Sequence, residues 1–90
     1  MKQVQFAKSF EKSYAKRIAK NEKLRRSYAS AYRQFILGVQ DYPLFDHSLK
    51  GKMSGKRAFS VANDVRVIYI QSNPNKVIFI DIGSHNQVYK

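Results

Sequence analysis

Two imidazoles, His47 and His85, one carboxylate, Asp64, and a run of cations flank the two most apolar segments of this chain, Val65-Arg66-Val67-Ile68-Tyr69-Ile70 and Val77-Ile78-Phe79-Ile80-Asp81-Ile82. This is the side-chain set that a metal-free RNA-cleaving site needs: proton donors and acceptors, and cations for charge building on phosphorus. His47 and His85 are the natural acid–base candidates, because imidazole is the side chain whose charge changes near neutral pH without a large shift. The bland alternative makes each a solvated loop or helix-cap residue. Lys50, Lys52, Lys56 and Arg57 form a basic rim beside them, although a charge run is usually a solvated face.

The elements that must position these groups follow from periodicity. Lys2 to Phe6 alternates polar and apolar residues, as a short edge strand does. From Lys8, Phe10, Tyr14 and Ile18 recur every fourth residue, the pattern of an amphipathic helix, with Ser9 as its cap. Asn21 breaks it. Leu24, Tyr28, Ala31, Phe35 and Val39 then carry a second helix to about Gln40, ended by Asp41-Tyr42-Pro43. After a basic loop from Asp46 to Lys56, strands are expected over Arg57–Ala62, Val65–Gln71 and Val77–Gly83, with Asn63-Asp64 as a tight turn. A four-residue hairpin loop, Ser72–Asn75, would pair Gln71 with Lys76 and Arg66 with Asp81. The last two strands are apolar at nearly every position, so both faces of the sheet should be largely covered.

Size and charge bound the rest. Ninety residues make one domain, 1–90, with room for a single core. The 17 Lys and Arg against 6 Asp and Glu give a net charge of +11, and the isoelectric point near 10.1 points to an anionic partner. Nucleic acid leads, and an acidic protein fits equally well. There is no Cys, hence no disulfide framework and no thiolate metal site. No signal-peptide pattern or membrane-length apolar run is seen, so the expectation is a soluble cytoplasmic protein with no membrane partner.

The order β-α-α-β-β-β, with Asp46-His47-Ser48-Leu49-x-Gly51 before the sheet, Asn63-Asp64-Val65-Arg66-Val67-Ile68-Tyr69 across the central turn and Gly83-Ser84-His85-x-x-x-Tyr89 after the last strand, resembles the RelE/ParE toxin superfamily, most of all its YafQ-like branch. The likeness spans essentially the whole chain. It implies an α+β fold in which an N-terminal strand and a helical hairpin pack on a small, mainly antiparallel sheet, followed by a short C-terminal helix. The function it implies is that of a type II toxin that enters the ribosomal A site and cleaves mRNA by attack of a 2′-OH on the adjacent phosphate, with no cofactor. Its partners would be the ribosome, mRNA and a cognate antitoxin, the last in a toxin–antitoxin hetero-oligomer.

By the same resemblance the catalytic set is His47, Asp64, His85 and Tyr89, and Arg66 joins the rim as a phosphate-facing residue. The fork of an arginine suits a phosphate. Each has a structural alternative: turn chemistry for Asp64, core closure for Tyr89, and the cross-strand pair with Asp81 for Arg66. The basic residues of the first two helices, from Lys8 to Arg26, would meet ribosomal RNA or an acidic antitoxin. Two positions depart from the branch: Ser60 stands where relatives have another histidine, and Val65 where they often have Trp. Two other readings stay open. A ParE-type gyrase poison of the same fold would not need an acid–base pair, and a non-catalytic RNA-binding protein would need only the charge.

Overall fold

The apolar repeat at Phe10, Tyr14 and Ile18 lines one side of α1 (Lys8–Arg17) and its C-cap in a computed structural model that describes residues 2–89. A turn at Asn21 separates α1 from α2 (Glu22–Ile36), and the Asn21 carboxamide caps α2 by accepting from the Leu24 amide at 3.0 Å. The strands are β1 (Gln3–Phe6), β2 (His47–Ser48), β3 (Arg57–Ala62), β4 (Val65–Asn73) and β5 (Lys76–Ser84), and α3 (His85–Val88) follows. They form one five-stranded sheet in the order β1-β5-β4-β3-β2. Only the β1–β5 pair is parallel; the rest are antiparallel.

The two faces of this sheet differ. One carries Phe59, Val67, Tyr69, Val77, Phe79 and Ile82 into the main core against α1 and α2, where Phe35 and Ile18 are buried. Phe79 is its hub, edge to face with Phe35 at 5.5 Å and with Phe59 and Phe6 at 5.6 Å. The other face has a smaller cluster, Ala58, Ile68 and Val88, with Leu49, Met53, Ile80 and Tyr89 packed on it. Its cover is thus the basic loop and α3, and it is partial.

β1 pairs with β5 only as far as Phe79. Beyond that point the β5 edge would be bare, and exposed backbone groups there need partners. A second stripe on α1 supplies them. Ser9 donates to the Ile80 carbonyl at 2.6 Å, Ser13 to the Asp81 carboxylate at 2.6 Å, and Arg17 to Asp81 at 3.2 Å and to the Ile82 carbonyl at 3.0 Å. These positions are four residues apart and share one helical face.

Four sequence expectations are corrected here. Ser9 does not cap α1; Ala7 is the N-cap, and the Ser9 hydroxyl is engaged with the sheet. α2 ends at Ile36, because Gly38 takes φ +92° and turns the chain well before Pro43. The β4–β5 turn is the two residues Pro74 and Asn75, with Asn73 opposite Lys76. The tighter turn sets a register two residues away from the expected one, and the irregularities between Gln71 and Asn73 and between Ile68 and Tyr69 offset each other, so Arg66 faces Gly83 and Asp81 faces Ile68. The expected Arg66–Asp81 pair does not form.

A buried polar cluster fastens the basic loop. The Asp46 side chain is fully buried. The Tyr69 hydroxyl donates to it at 2.7 Å, and Arg57 Nε reaches both Asp46 at 3.3 Å and the Tyr69 oxygen at 3.0 Å. Burial first, and the Asp46 carboxylate second, push the Tyr69 phenol well above its ordinary value. Burial opposes the charge on Arg57, but Tyr69 and Asp46 together hold its pKa above the usual value.

Two outcomes are expected from this architecture. A Cβ at Gly83 would lie 2.7 Å from both Arg17 Nη1 and Gln87 Oε1, so Gly83→Ala should destabilise the chain by about 1–3 kcal/mol by unseating both groups. Urea unfolding measures this, and an unchanged midpoint would mean that both side chains move aside freely. Because the folded state raises the Tyr69 pKa, it binds the phenolic proton more tightly than the unfolded chain does. That stability is complete below about pH 10 and is lost as pH rises further. Tyr69→Phe should therefore cost about 1–2 kcal/mol at pH 7 yet weaken less between pH 9 and pH 11, as melts across that range will show.

Candidate active site

The partly covered sheet face brings most of the candidate residues together. In register across it, His47 sits beside Ala58 and Ala58 beside Ile68, while Ser60 sits beside Arg66 and Arg66 beside Gly83. Residues opposite one another in a ladder share a face. His47 and Arg66 thus lie on the side closed by α3 and the basic loop.

His47 is exposed on the two-residue strand β2. Its Nδ1 is 2.7 Å from the Phe45 carbonyl. A carbonyl can only accept, so Nδ1 carries the proton and donates, and in the neutral ring Nε2 holds the lone pair. Leu49 and Met53 pack onto the small cluster, and the 3-10 turn Gly51–Met53 between them carries Lys52. Lys50 and Lys52 are exposed and Lys56 is half-buried.

His85 is the first residue of α3. The helix is only four residues long but is fixed by a capping box: Ser84 Oγ accepts from the Gln87 amide at 3.3 Å, and Gln87 Oε1 accepts from the Ser84 amide at 2.8 Å. Asp64, at the β3–β4 turn, accepts from the His85 backbone amide at 3.4 Å. Its contact is therefore with the residue's main chain, where it steadies the start of α3. The His85 ring meets Tyr89 edge to face at 4.4 Å, the contact that a four-residue helical spacing allows. Burial raises the Tyr89 phenol above its ordinary value, and nearby Arg66 partly offsets this.

Arg66 is half-buried, and its Nη1 is buried with no hydrogen-bond partner among the described residues. Such a donor is costly to leave unmet, while the residue as a whole lines a surface cleft where a guanidinium suits an anion. Arg57 differs: its Nε is committed to Asp46 and Tyr69, so it anchors the loop that bears His47. Arg17 is likewise bound to Asp81, and Arg26 pairs with Glu22 at 2.7 Å.

His47 is in register with Asp81 of β5 through Ala58 and Ile68, three strand intervals or about 14 Å across the sheet, and His85 follows four residues further along the strand direction. α3 packs against β4 as well as β5, which carries the His85 side of the site back over the sheet toward Arg66. Sequence reasoning missed Asp46 as the anchor, although it opens the motif that contains His47. It gave no role to Tyr42 and Phe45, on either side of Pro43-Leu44, whose rings the fold leaves exposed. Among the described residues, no helix is long and apolar enough to cross a membrane.

Known structures share this architecture. YafQ from E. coli strain BL21(DE3) superposes with a TM-score of 0.81 at 18% identity, covering 100% of both chains. A copper-bound mutant toxin from Helicobacter pylori gives 0.80 at 25% identity, over 98% of this chain and 99% of that one. YafQ in the E. coli DinJ–YafQ complex gives 0.79 at 20% identity over the full length of both. No curated protein sequence matches the chain. The family described as "Bacterial toxin of type II toxin-antitoxin system, YafQ" matches residues 2–90, and with that match over nearly its entire length the chain belongs to the YafQ family of type II toxins.

Proposed function

We propose that this toxin is a ribosome-dependent mRNA endonuclease that works by metal-independent 2′-OH attack and is silenced by a cognate antitoxin. The observation that carries the reading is Arg66, which lines a surface cleft on the sheet face shared with His47 and makes no hydrogen bond through Nη1 among the described residues. The ring of His85 borders the same region through Tyr89, which feels the Arg66 charge. A cation on the sheet face of one imidazole, near the aromatic ring that holds the other, suits a phosphodiester in transit.

In this reading His47 is the base, since its Nδ1–H is held by Phe45 and its Nε2 is available to take the 2′-OH proton. The O2′–P bond forms, negative charge gathers on the phosphoryl oxygens beside Arg66, Lys50 and Lys52, and the P–O5′ bond breaks. His85 gives its proton to the leaving 5′-oxygen. The products are a 2′,3′-cyclic phosphate and a 5′-hydroxyl, so no electron or metal is consumed. Tyr89 buttresses the His85 ring, and Asp64 sets the helix that carries it. Ser60, where relatives have another histidine, contributes a hydroxyl that does not titrate, and the acid–base work falls on His47 and His85.

The antitoxin reading is supported by the complex known for the E. coli relative and by the charge of +11. Cytoplasmic action on ribosomes follows from the same proposal.

His85→Ala should keep the fold and ribosome binding but slow mRNA cleavage by roughly 10²–10⁴-fold. His85→Gln should be nearly as slow, and His47→Ala should add less than its single effect if both act in one transition state. Cleavage should proceed in EDTA. Primer extension on translating ribosomes reads all of these; full cleavage by both histidine variants would refute acid–base roles, and absence of any wild-type cleavage would favour a gyrase poison or a plain binding protein. Replacing Lys50, Lys52 and Arg66 together should flatten the salt dependence of RNA binding by about 2 in logarithmic slope, at about 0.7 per single-strand phosphate contact. An unchanged slope would place these cations away from the RNA.

A further inference from the structure

Beside Arg66 the surface opens into a cleft of about 360 Å³ whose walls include Tyr42, Phe45, Ser60, Asn63 and Arg66, a volume within the range of ligand sites. Two of its walls are aromatic rings that the fold leaves in water: Tyr42 is 78% exposed and Phe45 57%. They meet edge to face, 5.8 Å between centroids and 80° between planes. Phe45 adopts φ +48°, a left-handed backbone that bulky side chains avoid. The ring thus stays out of the core at a conformational cost, in a chain that buries Phe35, Phe59 and Phe79 completely. Ser60 and Asn63 add a hydroxyl and a carboxamide able both to donate and to accept.

We propose that this cleft is a nucleobase subsite, in which the base of the nucleotide next to the cleaved phosphate stacks on the Tyr42–Phe45 pair while Arg66 holds the phosphate. The inference rests on the reading of the site as RNA-cleaving and adds where a base is held. Stacking on aromatic rings accepts any base, because every base offers a π face. Discrimination comes from the polar edge of the base against Asn63 and Ser60, so this cleft is where sequence preference is set. An apolar side chain from a protein partner would also cover the rings, but it would bring no anion to the Arg66 guanidinium that lines the same cleft. A nucleotide satisfies both features at once.

The test uses a non-cleavable RNA trinucleotide, with a 2′-deoxyribose at the attacking position, in two forms: one with 2-aminopurine at the nucleotide next to that linkage and one abasic there. The wild-type chain should bind the base-bearing form roughly 5- to 100-fold more tightly, with quenched 2-aminopurine fluorescence. In Tyr42→Ala with Phe45→Asn the preference should fall to near unity while salt-sensitive binding of the abasic form persists. Tyr42→Ala alone, at a highly exposed position, should lose part of the preference, and Tyr42→Phe should keep it. Equal wild-type affinities for the two forms, or a preference that survives the double substitution, would overturn the subsite. So would a double variant that loses antitoxin binding with its base preference intact, since the rings would then serve a protein. Parallel mRNA cleavage separates the two levels: a wild-type chain that prefers the base-bearing form yet cleaves nothing supports the subsite and rejects the nuclease reading.

Discussion

A fully buried carboxylate, Asp46, is the constraint on which the candidate-site side of the molecule depends. A charge taken out of water must be paired and hydrogen-bonded, or it destabilises the fold by several kcal/mol. The chain meets this requirement by drawing the Tyr69 hydroxyl and Arg57 Nε onto Asp46. Tyr69 comes from a central strand and Arg57 from its neighbour, so a single residue between the second helix and the basic loop is fixed to the middle of the sheet. His47 is the next residue in the chain, and its ring is in turn held by the Phe45 carbonyl. The rigidity of the core is thus passed to an exposed imidazole through one short polar network.

The second organising feature is the inequality of the two sheet faces. One is sealed by the helical hairpin and filled by interlocking aromatic rings, which supply most of the buried apolar surface. The other is covered only by Leu49 and Met53 of the loop and by Val88 and Tyr89 at the C-terminal end. Those four side chains act as pins that hold cations and imidazoles at the margin of an open sheet surface. The sheet is stable enough on one side to leave the other incomplete, and the incomplete side carries Arg66.

The β4–β5 register decides what Arg66 is able to do. Had it faced Asp81, its charge would have been neutralised within the fold. The tight β4–β5 turn places Gly83 beside Arg66 and leaves Asp81 to α1, where Ser13 and Arg17 engage it. The same absence of a side chain at Gly83 lets Arg17 and Gln87 approach closely. One glycine therefore serves both the edge stitching of β5 and the cap of the helix that presents His85.

Periodicity alone was enough to read the helical hairpin, the three long strands and the short strand that opens the chain, because a two-residue or four-residue apolar rhythm reports directly which side of an element is buried. His47 and His85 stood out as candidates because few side chains move protons near neutral pH, whereas Asp64, Arg66 and Tyr89 were singled out by the likeness of their surrounding motifs, which are local in sequence, to the YafQ-like branch. Register, caps and long-range partners were not legible. Whether Arg66 meets Asp81 depends on the length of the β4–β5 turn, where a two-residue turn in place of a four-residue loop moves the partner from Asp81 to Gly83. That Arg57 and Arg17 would be bound into the fold depends on carboxylates 11 and 64 residues away. The two-residue strand β2, the role of Asp46 and the exposed rings of Tyr42 and Phe45 lie in a segment whose shape has no period to read. Sequence fixes what each side chain can do chemically, but only the folded chain decides which charges find partners inside it and which do not, because pairing is a matter of distance in space.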